Sequence, residues 1–188
     1  MEIGVIILSG GLSSRFGEDK GLYVFKNKTL IEYSIDMAKK FTQDIIIISS
    51  NKKYKQFGFP VYTDIHPGLG PMGGIHTGLT YSKHQINLVL SCDTPFINSE
   101  LIDLLMSNYG KEDILISKTP DGKYQTLIGI YHKNILESLE NELSKNHLKM
   151  IEFIKEMNYT IIDLSEESDL KNCFINFNHL SQLKQYEH

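Results

Sequence analysis

Apolar residues in this chain come in short blocks set between polar stretches. IGVIIL (3–8) is a continuous apolar run, the pattern of a strand buried on both faces. TLIEYSIDMAKKF (29–41) has helical spacing, with Leu30, Ser34, Met37, Ala38 and Phe41 on one side and Thr29 as N-cap. Strands follow at 44–49 (DIIIIS) and 60–64 (PVYTD), a helix within 74–83, then a strand at 86–93 (INLVLSCD). A capped helix over 99–109 carries Leu101, Leu105 and Asn108 in line, and DILIS (113–117) is a further strand. Beyond about residue 119 the pattern is less regular. It reads as a strand (124–131), two helices (133–145 and 148–157), a strand (159–164) and a closing helix (178–186).

Strands alternating with helices predict a three-layer α/β/α domain with a mostly parallel, Rossmann-like sheet. The 188 residues suit one domain, and we find no repeat or linker that would divide 1–188. In such sheets ligands gather beyond the carboxyl ends of the strands. Ser9 to Lys20, Asn51, Asp64 and Asp93 each follow one of the first four predicted strands, so they converge on one expected site.

Composition narrows the chemistry. The net charge is -4 and no lysine or arginine cluster is dense, which argues against nucleic-acid binding. An anion site must then be local, built by a few cations and backbone N–H groups. Two cysteines, Cys92 and Cys173, have no metal or redox spacing, which suits a reducing cytoplasm. The first apolar run is too short for a signal peptide or a membrane span. The seven histidines are scattered in sequence, which argues against a histidine metal site.

The loop LSGGLSSRFGEDKG (8–21) carries the candidate chemistry. It matches neither the P-loop nor the dinucleotide fingerprint, because its glycines stand in the wrong places. Gly10 and Gly11 allow a base or phosphate to approach the backbone. Arg15 can fork onto phosphate oxygens, and Lys20 adds a mobile point charge. A surface turn with solvated charges fits the same residues.

This loop resembles the signature of nucleotidyltransferases with the nucleotide-diphospho-sugar transferase fold. LSGG, GPMGGI (70–75), CDTPF (92–96) and FINFN (174–178) together resemble the molybdenum cofactor guanylyltransferase family, in its motif order. Ser9 stands where alanine is usual, Phe16 where methionine is usual, and HLSQL replaces the family's usual ending. The resemblance implies transfer of GMP from GTP to molybdenum-bound molybdopterin, with release of pyrophosphate. It implies Leu8, Ser9, Gly10, Lys20, Asp64 and Asp93 as nucleotide-binding residues, Arg15, Lys20 and Asp93 as catalytic residues, and Asp93 as a ligand to Mg2+. It also implies a cytoplasmic enzyme with transient contacts to other cofactor-biosynthesis proteins or molybdoenzymes. Alternatives are a cytidylyltransferase acting on molybdopterin or a sugar phosphate, and a nucleotide-binding module without turnover.

Several residues carry two readings. Asn51 suits either a base or ribose contact or a turn. Asn176 and Asn178, alternating on a short predicted strand, suit the second substrate, the metal surroundings or strand-end hydrogen bonds. Cys92, beside Asp93, reads as a small buried residue rather than a nucleophile. Superfamily relatives that use other bases commonly carry alanine at the position matching Gly10, so the resemblance implies guanine, since a methyl group there would crowd a purine.

Overall fold

The first apolar run becomes the middle of a sheet. The computed structural model describes residues 2–10, 19–177, 182 and 186. In chain order these form β1 (Gly4–Leu8), a hairpin of β2 (Val24–Phe25) and β3 (Lys28–Thr29), α1 (Leu30–Ala38), β4 (Ile45–Ile48) and β5 (Val61–Tyr62). Next come α2 (Gly70–Tyr81), β6 (Ile86–Ser91), α3 (Ser99–Asn108), β7 (Ile114–Lys118) and β8 (Tyr124–His132). The series closes with α4 (Leu136–Ser144), α5 (Met150–Glu156) and β9 (Tyr159–Asp163).

Seven strands form one sheet in the order β5-β4-β1-β6-β8-β7-β9. β1 pairs in parallel with β4 and β6, and β7 with β9, while β8 runs antiparallel to both its neighbours. The mostly parallel sheet expected from the alternation is therefore present, and β8 interrupts it. Both faces are apolar, as the continuous run in β1 requires. Val5 and Ile7 join a core with Ile31, Ile35 and Leu101 from α1 and α3. Ile6 joins a second core with Ile75, Leu79, Leu139 and Phe153 from α2, α4 and α5.

Local chemistry sets several element ends. At α1 the Glu32 carboxylate accepts from the Thr29 backbone N–H and hydroxyl, each at 2.7 Å, so Thr29 does start the helix. The helix stops at Ala38, so Phe41 lies beyond it while still packing against the first core. Ser34, on the inner face, donates to the Ser91 carbonyl at 3.0 Å and ties α1 to the end of β6. α2 begins at Gly70, earlier than its apolar spacing suggests, because Pro71 in the first turn needs no hydrogen-bond acceptor there.

Residues 168–174 form a 3-10 helix, and 175–177 are not a strand, unlike the expectation for FINFN. Phe177 explains why. Its ring packs with Phe25 at 5.4 Å and Phe96 at 5.6 Å between centroids, so aromatic burial rather than strand pairing holds the segment. Arg15 and Asn178 lie outside the described residues, as does most of the expected closing helix.

Candidate functional site

Strand ends assemble the site. β1 delivers Ser9 and Gly10, and β6 delivers Ser91, Cys92 and Asp93 beside them. The Cys92 N–H donates to the Leu8 carbonyl at 3.2 Å, and the Ser9 N–H to the Ile48 carbonyl at 3.0 Å. The three parallel strands β4, β1 and β6 thus remain laced together just past their ends.

Lys20 reaches across to this edge. Its ammonium lies 2.6 Å from Asp93 Oδ2 and 3.5 Å from Asn176 Oδ1. Asp93 Oδ1 accepts from the Ser91 hydroxyl at 2.5 Å. The Lys20 and Asp93 side chains are 16% and 15% exposed, so the pair is sheltered yet open to a ligand. Asn176 is aimed by its neighbour: the Phe177 N–H donates to the Asp93 carbonyl at 3.0 Å while its ring sits in the aromatic cluster. Residues separated by 73 and 156 positions in sequence therefore meet around one ammonium.

A buried hydrogen-bond chain holds Lys20 in place. The Ser9 hydroxyl donates to the Tyr54 hydroxyl at 2.5 Å, and Tyr54 donates in turn to Asp19 Oδ1. Asp19 Oδ2 accepts from the Asn51 side-chain amide at 2.8 Å, and Oδ1 from the Gly21 N–H at 3.2 Å. Burial pushes the Tyr54 hydroxyl far above its ordinary pKa, so it stays a donor. Gly21 has no room for a side chain, because a Cβ would strike the Tyr54 and Ser9 hydroxyls. Asn51 uses its carbonyl to cap the turn at Lys53 and its amide to hold Asp19, so it does the work of a turn former.

Asp64 occupies a different setting. Its Oδ1 accepts from the Thr77 hydroxyl and the His66 N–H, both at 2.9 Å. Its carboxylate lies close to Gly73 in α2, where a Cβ would come within 3.1 Å of it and 2.9 Å of the His66 carbonyl. Gly10 is exposed, and among the described residues a Cβ there would meet only the Ile48 carbonyl, at 4.0 Å. The Ser9 side chain is buried toward Tyr54. Cys92 is buried, and burial pushes its thiol up to about 12, so the thiolate needed for nucleophilic attack does not form near neutral pH.

Sequence reasoning passed over Ser91, Asp19, Tyr54 and Thr77. Ser91 stands two positions before Asp93, and strand alternation already puts 91 and 93 on one face. Tyr54 had no signal beyond being an aromatic among lysines in NKKYKQF.

A cation–carboxylate pair lies beyond the carboxyl ends of parallel strands, the place where α/β sheets gather their ligands. The family model described as MobA-like NTP transferase domain matches residues 5–158, and the chain belongs to that family. It is 34% identical over 170 residues to a probable molybdenum cofactor guanylyltransferase of Flavobacterium johnsoniae, covering 90% of each chain. It is 37% identical over 186 residues to a molybdenum cofactor guanylyltransferase of Vibrio vulnificus, covering 96% of this chain and 93% of that one. Among solved structures, molybdopterin-guanine dinucleotide biosynthesis protein A of Archaeoglobus fulgidus has the same fold. The TM-score is 0.81 at 23% identity, with 98% of this chain and 96% of that chain covered. No helix among the described residues is long and apolar enough to cross a membrane.

Proposed function

We propose that this protein transfers GMP from GTP to molybdenum-bound molybdopterin, giving molybdopterin guanine dinucleotide and pyrophosphate. The names of its relatives support this reading of the substrates. The observation that carries the chemistry is the sheltered Lys20–Asp93 pair, 2.6 Å apart at the end of β6.

The reaction is a displacement at phosphorus. A terminal phosphate oxygen of molybdopterin attacks the α-phosphorus of GTP. The bond from that phosphorus to the bridging oxygen breaks, and pyrophosphate leaves with the electron pair. A phosphate monoester is already anionic near neutral pH, so no protein nucleophile or base is required. The protein's task is to align the two phosphates and balance the charge that grows on the leaving group. Lys20 is suited to that balance, and Arg15 is assigned to the same work. Leu8, Ser9 and Gly10 offer backbone to the nucleotide, and Asp64 holds the facing loop.

The residues at Asp93 fit a magnesium ion. They present only hard oxygens: the Asp93 carboxylate, with the Asn176 amide oxygen converging on the same point. The Lys20 ammonium between them marks a spot where positive charge is stabilised. Asp93 would hold the ion with phosphate oxygens and water as its other ligands. When bound, Mg2+ supplies charge neutralisation on the α- and β-phosphates. Delivery of the product by transient contact with other cofactor-biosynthesis proteins or molybdoenzymes belongs to the same proposal.

Thermal shift with four nucleoside triphosphates and magnesium tests the nucleotide. GTP at a hundred times its dissociation constant should stabilise by about 2.7 kcal/mol, well beyond ATP, CTP or UTP. Pyrophosphate release that needs both GTP and molybdenum-molybdopterin then separates an enzyme from a binding module. If CTP binds as tightly as GTP, the cytidylyltransferase reading takes over.

A further inference from the structure

On the α2–α4 side of the sheet, three metal-binding side chains from separate elements converge. His66 sits in the loop after β5, His76 in α2 and Glu140 in α4. His66 Nε2 lies 2.8 Å, and His76 Nε2 2.9 Å, from the same oxygen, Glu140 Oε2. The two rings meet edge to face with centroids 4.8 Å apart. One ligand atom from each residue lies within 4.8 Å of the other two.

The other ring nitrogen of His76, Nδ1, is not the one that meets Glu140. His76 is 9% exposed, and its Nδ1 is buried with no partner among the described residues. A neutral imidazole offers a ring-nitrogen lone pair to a metal. Two imidazole nitrogens aimed at one carboxylate oxygen bring three ligand atoms together from separate elements. Ligands about 2.0–2.2 Å from a tetrahedral ion stand roughly 3.3 Å apart, so each N···O distance must open by about half an ångström and the two ring nitrogens, within 4.8 Å of each other, must close by up to about 1.5 Å. Glu140 is 50% exposed at its side chain and can make that adjustment. His66 is pre-positioned, because its N–H is held by Asp64 and its carbonyl accepts from the Leu69 N–H at 3.3 Å.

We infer that His66, His76 and Glu140 bind one divalent transition-metal ion of the zinc class. Two nitrogens and one carboxylate oxygen suit zinc, whereas magnesium demands oxygen ligands. The ion pins α4 to the loop that carries Asp64, and its fourth position is left for water. The site is separate from Asp93 and does not depend on which nucleotide the protein uses.

The test uses the full chain, stripped with a chelator and titrated with Zn2+ in a calorimeter without nucleotide. One ion per chain is expected, undisturbed by excess Mg2+. In the wild-type protein, NMR signals of the His66 and His76 rings should shift together as Zn2+ is added. Glu140→Gln, a surface change whose fold is checked by circular dichroism, should lower affinity at least about tenfold to a hundredfold, and His66→Ala should do the same. The inference is overturned if Zn2+ does not bind or if neither ring signal moves. Wild-type affinity in both variants overturns it equally, because the ion would then sit elsewhere.

Discussion

Asp93 and Asp64 have the same position in the pattern: each is an aspartate just past a short parallel strand. Their surroundings differ. Asp93 faces an ammonium 2.6 Å away that arrives from the other side of the site. Asp64 faces neutral donors, the Thr77 hydroxyl from α2 and the His66 N–H from its own loop. An ion pair marks where positive charge is favourable, and therefore where a cation or a phosphate-binding lysine can work. A carboxylate satisfied by local neutral donors instead shapes a loop. Strand-end position alone does not distinguish the two roles; the partner does.

The sharpest way to break this contrast is Asp93→Asn. It should cut magnesium-dependent turnover at least about a hundredfold, equivalent to about 2.7 kcal/mol at the transition state, while circular dichroism stays unchanged. Asp64→Asn should instead raise the KM for GTP several-fold with a smaller change in kcat, since it acts by ordering the loop. Steady-state kinetics on both variants decide the matter, and the reverse pattern would exchange the two roles.

Lys20→Ala extends the contrast to the cation. Turnover should fall about tenfold or more. Lys39→Ala and Lys40→Ala should stay near wild type, because both lysines are exposed beyond the end of α1. Equal, small effects from all three would make Lys20 a bystander to catalysis.

Gly73→Ala probes the Asp64 side through packing. The added methyl must push on the His66 carbonyl and the Asp64 carboxylate, at a cost of about 1–3 kcal/mol. Thermal unfolding should show a Tm lower by roughly 2–4 °C for each kcal/mol. An unchanged Tm would mean that this loop yields freely and does not hold Asp64.

The smallest effect on the fold is expected at Gly10→Ala. Among the described residues a Cβ there meets only one backbone oxygen, at 4.0 Å, so the melting temperature should barely move. Affinity for GTP should nonetheless fall a few-fold more than affinity for CTP in a competition assay. Parallel losses for both nucleotides would remove Gly10 from base selection.

Much of the architecture was legible before any coordinates. Continuous apolar runs in β1, β4 and β6 required burial on both faces, and the alternation with helices required a parallel sheet. β8 was legible as a strand but not as the antiparallel one, since its direction depends on pairing partners distant in sequence. The start of α2 was hidden because glycines and a proline look like a loop until their packing is known. Asn176 was assigned to a strand, and the aromatic cluster around Phe177 holds it otherwise. At the site, Lys20 and Asp93 were both singled out, yet nothing in their spacing said that they touch.

The sequence by itself determined the α/β class, the strand ends that carry polar residues and, through four motifs in order, the family. These are local or additive properties: periodicity, composition and short patterns survive without knowledge of contacts. Only the tertiary structure decided which groups meet. It joined Lys20 to Asp93 and Asn176, routed Ser9 through Tyr54 to Asp19, and gathered Glu140 with His66 and His76, two of the histidines that look scattered along the chain. Contact between residues far apart in sequence depends on how helices and strands pack, and side-chain chemistry acts over a few ångströms, a distance that position along the chain does not encode.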